Sequence, residues 1–225
     1  MKNELKRKNI LTNEIFKKYI FPCLFMAASE SLSIIIGSVI AGNVLGEKSL
    51  AALNLILPLS LFITAISCII GIGTIEYINV QKGRMNTKGA NKAYTLSFIT
   101  WAILGTIGVL FSIFGSKLVA TFLSSNADLI PEVDQYLKVY LLGSPLILGM
   151  LTFPYIISGD GFPKMGALAS IISNCTNLFF AGSFMRNTGI QGGATAIIMR
   201  TFNWYNFVVS SLFQFKKTHT KILQN

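Results

Sequence analysis

Charge is scarce in this sequence. Asp, Glu, Lys and Arg together make 12% of its 225 residues, where a water-covered domain carries about 25%. A surface so poor in charge cannot face water all round, so an ordinary soluble fold is excluded. Histidine is nearly absent, His219 being the sole one, and a His-built metal or catalytic centre has no material. The cysteines are three, Cys23, Cys68 and Cys175, with no Cys-x-x-Cys pair. They read as small buried hydrophobes, not as disulfide partners or metal ligands. Acids are few, and the three aspartates, Asp128, Asp134 and Asp160, fall in expected loops. Gly-x-Ser-x-Gly, His-Glu-x-x-His and a Gly-Lys-Ser/Thr phosphate loop are all missing. No catalytic residue and no metal ligand is therefore assigned, and the chain is not read as an enzyme.

What the sequence does have is apolar, 52% of its residues. The apolar residues gather into six runs, Tyr19–Ala41, Ser49–Ile78, Tyr94–Phe114, Val133–Ile157, Met165–Met185 and Ile190–Phe215. Each is long enough to cross a hydrocarbon core of roughly 30 Å as a helix. Barrel strands would be about ten residues long and would alternate, which these runs do not. The expected fold is all-α: a polytopic membrane protein built as a single six-transmembrane-helix bundle. Residues 1–18 form a basic cytoplasmic segment, 19–215 the bundle and 216–225 a basic cytoplasmic tail. The basic start leads into an apolar stretch without a small-x-small cut site, so it reads as an uncleaved first span. The amphipathic stretch from Phe114 to Tyr140 predicts a short interfacial helix on the outer side.

The net charge of +10 is placed asymmetrically. With the N-terminus inside, the cytoplasmic segments hold fourteen Lys and Arg: Lys2, Lys6, Arg7, Lys8, Lys17, Lys18, Lys82, Arg84, Lys88, Lys92, Lys164, Lys216, Lys217 and Lys221. The opposite side holds four, Lys48, Lys117, Lys138 and Arg186. The positive-inside rule puts both ends of the chain in the cytoplasm, in a multi-pass protein of the plasma membrane. The lipid bilayer, through its anionic headgroups, is the expected partner. The basic residues lie beside apolar runs and not on aromatic-interleaved stretches, so nucleic acid is not a partner.

Glu30, Glu76 and Arg200 are the ionisable residues inside spans. A charge near mid-bilayer costs at least about 2.5–3.5 kcal/mol on insertion scales and faces the bundle interior or a partner. Glu30 is twelve residues beyond Lys18, roughly 18 Å along a helix, and Arg200 is sixteen residues from Lys216, roughly 24 Å on a descending one. The two can meet. Glu30 is then either half of a buried ion pair or a carboxylate that binds a proton or cation. Glu76, close to Lys82, reads as a solvated face. Asn203 and Asn206 flank Trp204 and Tyr205, and such amides either join helices or line a wet cavity. Phe180, Trp204 and Tyr205 face either lipid or a bound cation.

The stretch "GNVLGEKSLAALNLILPL", Gly42 to Leu59, resembles the first loop and second helix of the multidrug and toxic compound extrusion (MATE) transporters. "IGIGTIEYINVQKGRMNTKGANKAY", "SGDGFPKMGALASIISNCTN" and "GIQGGATA" agree with later parts of the family pattern in order and spacing. The resemblance covers about residues 15 to 215. It implies the N-terminal half of a fold of two six-helix bundles with a substrate cavity between them. It implies secondary active efflux of organic cations or amphipathic drugs by cation-coupled antiport. No cofactor is expected, a proton or sodium gradient being the driving force. Asn174 and Asn177 match cavity-lining positions, and with Asn203 and Arg200 they form the expected cavity lining. Two aspartates usual in the family are replaced by Gly37 and Ala181. Glu30, on nearly the same face as Gly37, is the ion-coupling candidate in their place. A lone bundle implies a parallel homodimer or a separate chain carrying the second half. The alternative is a non-transporting remnant or interaction subunit. A lipid-linked oligosaccharide flippase half is a weaker third reading.

Overall fold

The computed structural model describes residues 2–124 and 126–222, and their side chains except at 2–12, 15 and 212–222. The expected cytoplasmic tail, with Lys216, Lys217, His219 and Lys221, lies outside the described side chains, as do Lys2, Lys6, Arg7 and Lys8. Every regular element among the described residues is helical. The first helix, α1, runs unbroken over Lys2–Leu45, so the basic start and the first span are one rod. α2 covers Glu47–Gly83, α3 Thr87–Leu110, α4 Ser116–Leu123, α5 Ile130–Leu142, α6 Ser144–Gly159, α7 Pro163–Thr188 and α8 Gln191–Ile222.

These make six rods, because two pairs join. α3 continues into α4 through a π-helical turn at Phe111–Gly115, and the pair forms one apolar stretch over Thr87–Leu123. The expected interfacial helix is thus the end of the third rod, with Leu118 and Phe122 on its exposed surface. α5 and α6 together replace the expected fourth span, but the axis bends by 61° at Gly143. Asp134, expected in a loop, stands within α5. By length and apolarity four rods qualify as membrane spans, and the bent pair makes a fifth. α8 is not among them, since Arg200, Asn203 and Asn206 dilute its apolar content.

Turn chemistry sets the ends. Gly46, between α1 and α2, has φ +86°, which L side chains rarely adopt. Gly161 has φ +106° and Pro163 then opens α7, where its missing N–H costs nothing. The order of elements places the α1–α2, α4–α5 and α7–α8 turns at one end of the bundle and the α2–α3 and α6–α7 turns at the other. At the first end Glu132 receives Ser49 Oγ at 2.7 Å and Lys48 at 3.5 Å, and Asp134 receives Ser116 Oγ at 2.7 Å and Lys138 at 2.8 Å. At the other, Lys82 pairs with Asp160, tying α2 to the end of α6.

The rods pack as two groups of three. α1, α7 and α8 form one, and α2, α3 with α6 form the other. The α3–α6 seam is close: Ser144 Oγ donates to Gly105 O at 3.0 Å, and Trp101 Nε1 donates to Pro145 O at 2.8 Å. A core around Ile56, Val133, Leu137, Ile147 and Ala194 joins the groups. The outer surface is strongly apolar, with Phe21, Phe25, Ile35, Leu61, Ile69 and Leu96 all more than half exposed. Patches of that extent mark contact with lipid or protein, not water. Cys23 and Cys175, expected to be buried, lie on this exposed surface, and Cys68 meets Tyr155 Oη at 3.1 Å.

Within the first group α7 and α8 meet backbone to backbone where side chains are smallest. A Cβ on Gly192 would strike the Phe184 carbonyl, which cannot rotate away, whereas one on Gly37 would meet nothing within 4 Å. Gly192→Ala is therefore expected to cost about 1–3 kcal/mol, read as a lowered unfolding midpoint in detergent. Gly37→Ala should leave that midpoint unchanged or slightly raised.

Candidate functional site

Three helices each set polar residues among small or apolar ones on a single face. α1 carries Ser29, Glu30, Ser33 and Gly37, α7 carries Asn174, Asn177 and Ala181, and α8 carries Gly193, Ile197 and Arg200. Steps of three and four residues keep each set on one face. The three faces converge on Arg200.

The Arg200 residue is 9% exposed. Its Nη1 donates to Asn174 Oδ1 at 2.8 Å, and Asn174 Nδ2 donates in turn to Ser29 Oγ at 2.9 Å. Ser29 Oγ then donates to the Met26 carbonyl at 3.1 Å, so the chain of hydrogen bonds ends on the backbone. Arg200 Nη2 reaches Glu30 Oε1 at 3.4 Å, a long single contact. A two-pronged Arg–carboxylate pair would close to about 2.7–2.9 Å. The Glu30 side chain is 42% exposed against 11% for Arg200. The guanidinium is thus fixed, while the carboxylate is loosely held and open on one side. Arg200 Nε and Asn177 Oδ1 are buried and make no hydrogen bond among the described residues. Asn177 Nδ2 makes only a 3.5 Å contact with Ser33 Oγ.

Beside this cluster lies a cavity of about 230 Å³ between the two three-helix groups. Its wall includes Glu30, Ser33, Gly37, Asn177, Ala181 and Arg200 from α1, α7 and α8. The facing wall takes Ser60 and Thr64 from α2, Tyr136 and Tyr140 from α5, and Leu151 from α6. Gly37 and Ala181 therefore border one cavity, and the acids expected there are replaced by open space and a methyl group. The described charges of the wall are one carboxylate and one guanidinium.

Of the expected lining, Asn177 and Arg200 are in the wall and Glu30 joins them. Asn174 is not: it is 2% exposed and stands behind Arg200 as its anchor. Asn203 is half-buried on α8 and outside the wall. Phe180, Trp204 and Tyr205 do not line the cavity either. Trp204 packs with Met150, Ala169 and Val208, and Phe180 stacks on Phe184. The aromatic wall comes instead from Tyr136 and Tyr140, whose rings stack at 5.7 Å. Their stretch read as amphipathic, and a Tyr pair four apart on one helix face was the available signal. Glu76 is exposed and away from the cavity.

The MatE family model matches residues 22–182 of this sequence. The chain belongs to the MatE family. That is a family of membrane transporters and not a class of enzymes. Among curated relatives, the MatE chain is 25% identical over 168 residues to the multidrug export protein MepA of Staphylococcus saprophyticus, covering 72% of this chain and 37% of that protein. It is 28% identical over 171 residues to an FAD transporter of Shewanella oneidensis, covering 71% and 36%. Its fold superposes on a MOP superfamily transporter from Pyrococcus furiosus, described as having a binding pocket of reverse polarity, with TM-score 0.79 and 22% identity over 88% of this chain and 44% of that one. A MATE transporter in complex with MaL6 gives TM-score 0.80 at 22% identity, again over 88% and 44%. At that identity the structures establish the fold, one lobe of a MATE transporter. The MatE chain spans less than half the length of these relatives and structures.

The unequal burial of the pair has a consequence for stability. Removing Glu30 leaves Arg200 still held by Asn174, whereas removing Arg200 strands a buried amide. Arg200→Met should lower the unfolding midpoint more than Glu30→Gln. In the double variant the two losses should fall short of their sum by about 0.5–3 kcal/mol, measured by thermal unfolding of all four proteins.

Proposed function

We propose that this lobe serves secondary active export of organic cations or drugs, in exchange for a proton or sodium ion held at Glu30. The observation that carries the reading is the cavity itself. It opens between two packed helix groups, and its one described carboxylate is partly exposed and loosely paired. A carboxylate in that state can exchange Arg200 for a proton, a metal cation or an organic cation, and such competition is the basis of antiport. Intramembrane acids usually mark such pathways. The relatives named for multidrug export and FAD transport support a transport role in general.

Alternating access needs two bodies moving against each other. In this reading the second is a parallel copy of the chain or a separate second-half chain. A non-transporting interaction subunit is the second reading, and Gly37 and Ala181 favour it. Where the family pattern has acids, the wall offers none, and the remaining acid already faces a guanidinium.

The deciding experiment is ethidium efflux from cells or vesicles under imposed proton and sodium gradients. Glu30→Gln is expected to abolish the dependence on either gradient while membrane insertion stays normal. Unchanged coupling in that variant removes the proposal. A well-inserted wild-type chain that moves neither ethidium nor tryptophan under any gradient points to the interaction subunit.

The excess of basic residues on one side supports cytoplasmic placement of the α2–α3 and α6–α7 turns. With Cys23, Cys68 and Cys175 replaced by Ala, Asn126→Cys should react with a membrane-impermeant maleimide added to intact cells. Arg84→Cys should react only after the cells are opened.

A further inference from the structure

We infer that the cavity selects an amphoteric aromatic solute, presenting its anionic group to Arg200 and its cationic group to Glu30. This rests on the transport reading above and narrows its organic cations or drugs to solutes that carry both charges.

Three observations carry it. First, the wall holds one described charge of each sign, side by side. A wall built for a simple cation would have no use for a guanidinium fixed by Asn174, and a cation in the site would be repelled by it. Second, the wall residues Arg200 and Asn177 each hold a buried polar atom without a partner among the described residues. Arg200 Nε is a donor without an acceptor, and Asn177 Oδ1 is an acceptor without a donor. Unpaired buried polar atoms are costly, and a ligand that satisfies them recovers that cost. A carboxylate or phosphate can take Nε together with Nη2, the two-pronged geometry that the 3.4 Å contact to Glu30 does not achieve. An ammonium paired with Glu30 brings N–H donors to the wall that also holds Asn177 Oδ1. Third, the stacked Tyr136 and Tyr140 rings line the facing wall and offer a flat apolar surface.

A solute of this kind inserts into the Glu30–Arg200 contact and replaces one loose ion pair with two close ones. It adds no net charge to the cavity, so neither partner is left unpaired at low dielectric. A purely cationic solute leaves Arg200 bare, and a purely anionic one leaves Glu30 bare.

The test uses three ligands of one shape: tryptophan, its methyl ester, which is only cationic, and N-acetyltryptophan, which is only anionic. They are titrated calorimetrically into the full chain in phosphatidylcholine nanodiscs. Tryptophan should bind about tenfold or more tighter than either analogue, the worth of one charge-assisted pair. Arg200→Gln should erase its advantage over the methyl ester, and Glu30→Gln its advantage over the N-acetyl form. Arg200→Lys, which keeps the charge, should retain part of the preference. Equal or tighter binding of the methyl ester to the wild-type chain overturns the inference, as does no tryptophan binding at millimolar concentration. The transport reading fails separately, through gradient coupling that survives in Glu30→Gln whatever the ligand preference.

Discussion

A guanidinium buried inside a membrane bundle is the constraint on which the rest of this structure depends. Arg200 sits on α8 at a depth where an unpartnered charge costs several kcal/mol (about 2.5–3.5 even on lenient scales). The bundle answers from two other helices. Asn174 on α7 and Glu30 on α1 take its two outer nitrogens, and Ser29 relays the load to the α1 backbone. The contact therefore joins α1, α7 and α8 at one level. It accounts for these three rods packing as a group, and small residues at Gly192 and Ala181 let their backbones close in around it.

That constraint also decides what the cavity is electrically. Family-type acids at Gly37 and Ala181 would have made the wall negative. With those positions vacant of charge, Glu30 and Arg200 cancel, and the wall is neutral but strongly polarised. A neutral, polarised cavity repels neither sign outright. It discriminates through the placement of charge within a solute, so shape and charge separation matter more than net charge. The loose half of the pair is the exposed one, which is the half a ligand or coupling ion can reach.

Much of the scaffold was legible in the sequence because membrane helices obey few rules. Run lengths yielded the six rods, and rise per residue alone brought Glu30 and Arg200 to a common level. What stayed hidden was rotation and bending. Asn174 and Asn177 are one turn apart and looked equivalent, and only the packing of α7 between α1 and α8 sends one behind Arg200 and the other into the cavity. The bend at Gly143 had a signature in Gly-Ser-Pro, yet proline within a span also fits a straight helix with a mild kink. The π-turn at Phe111–Gly115 has no sequence signature that would separate it from ordinary helix. Because the register of Tyr136 and Tyr140 depends on that bend, their place in the wall could not be read beforehand.

The helix that carries the site is the one least suited to a membrane by composition. α8 falls short of the apolarity that four other rods reach, and Arg200, Asn203 and Asn206 are the reason. Its stability has to come from neighbours: Trp204 and Val208 pack into a core with α6 and α7, and Thr201 bonds back to Ile197 O at 2.7 Å. A sequence whose purpose was only to hold a bundle together would place apolar residues at Glu30, Asn174 and Arg200 together, since a buried polar cluster is seldom more stabilising than well-packed apolar side chains. Local rules tend to be broken where function requires it. The breach here runs along one helix, and Arg200 is the residue of it that reaches the cavity wall.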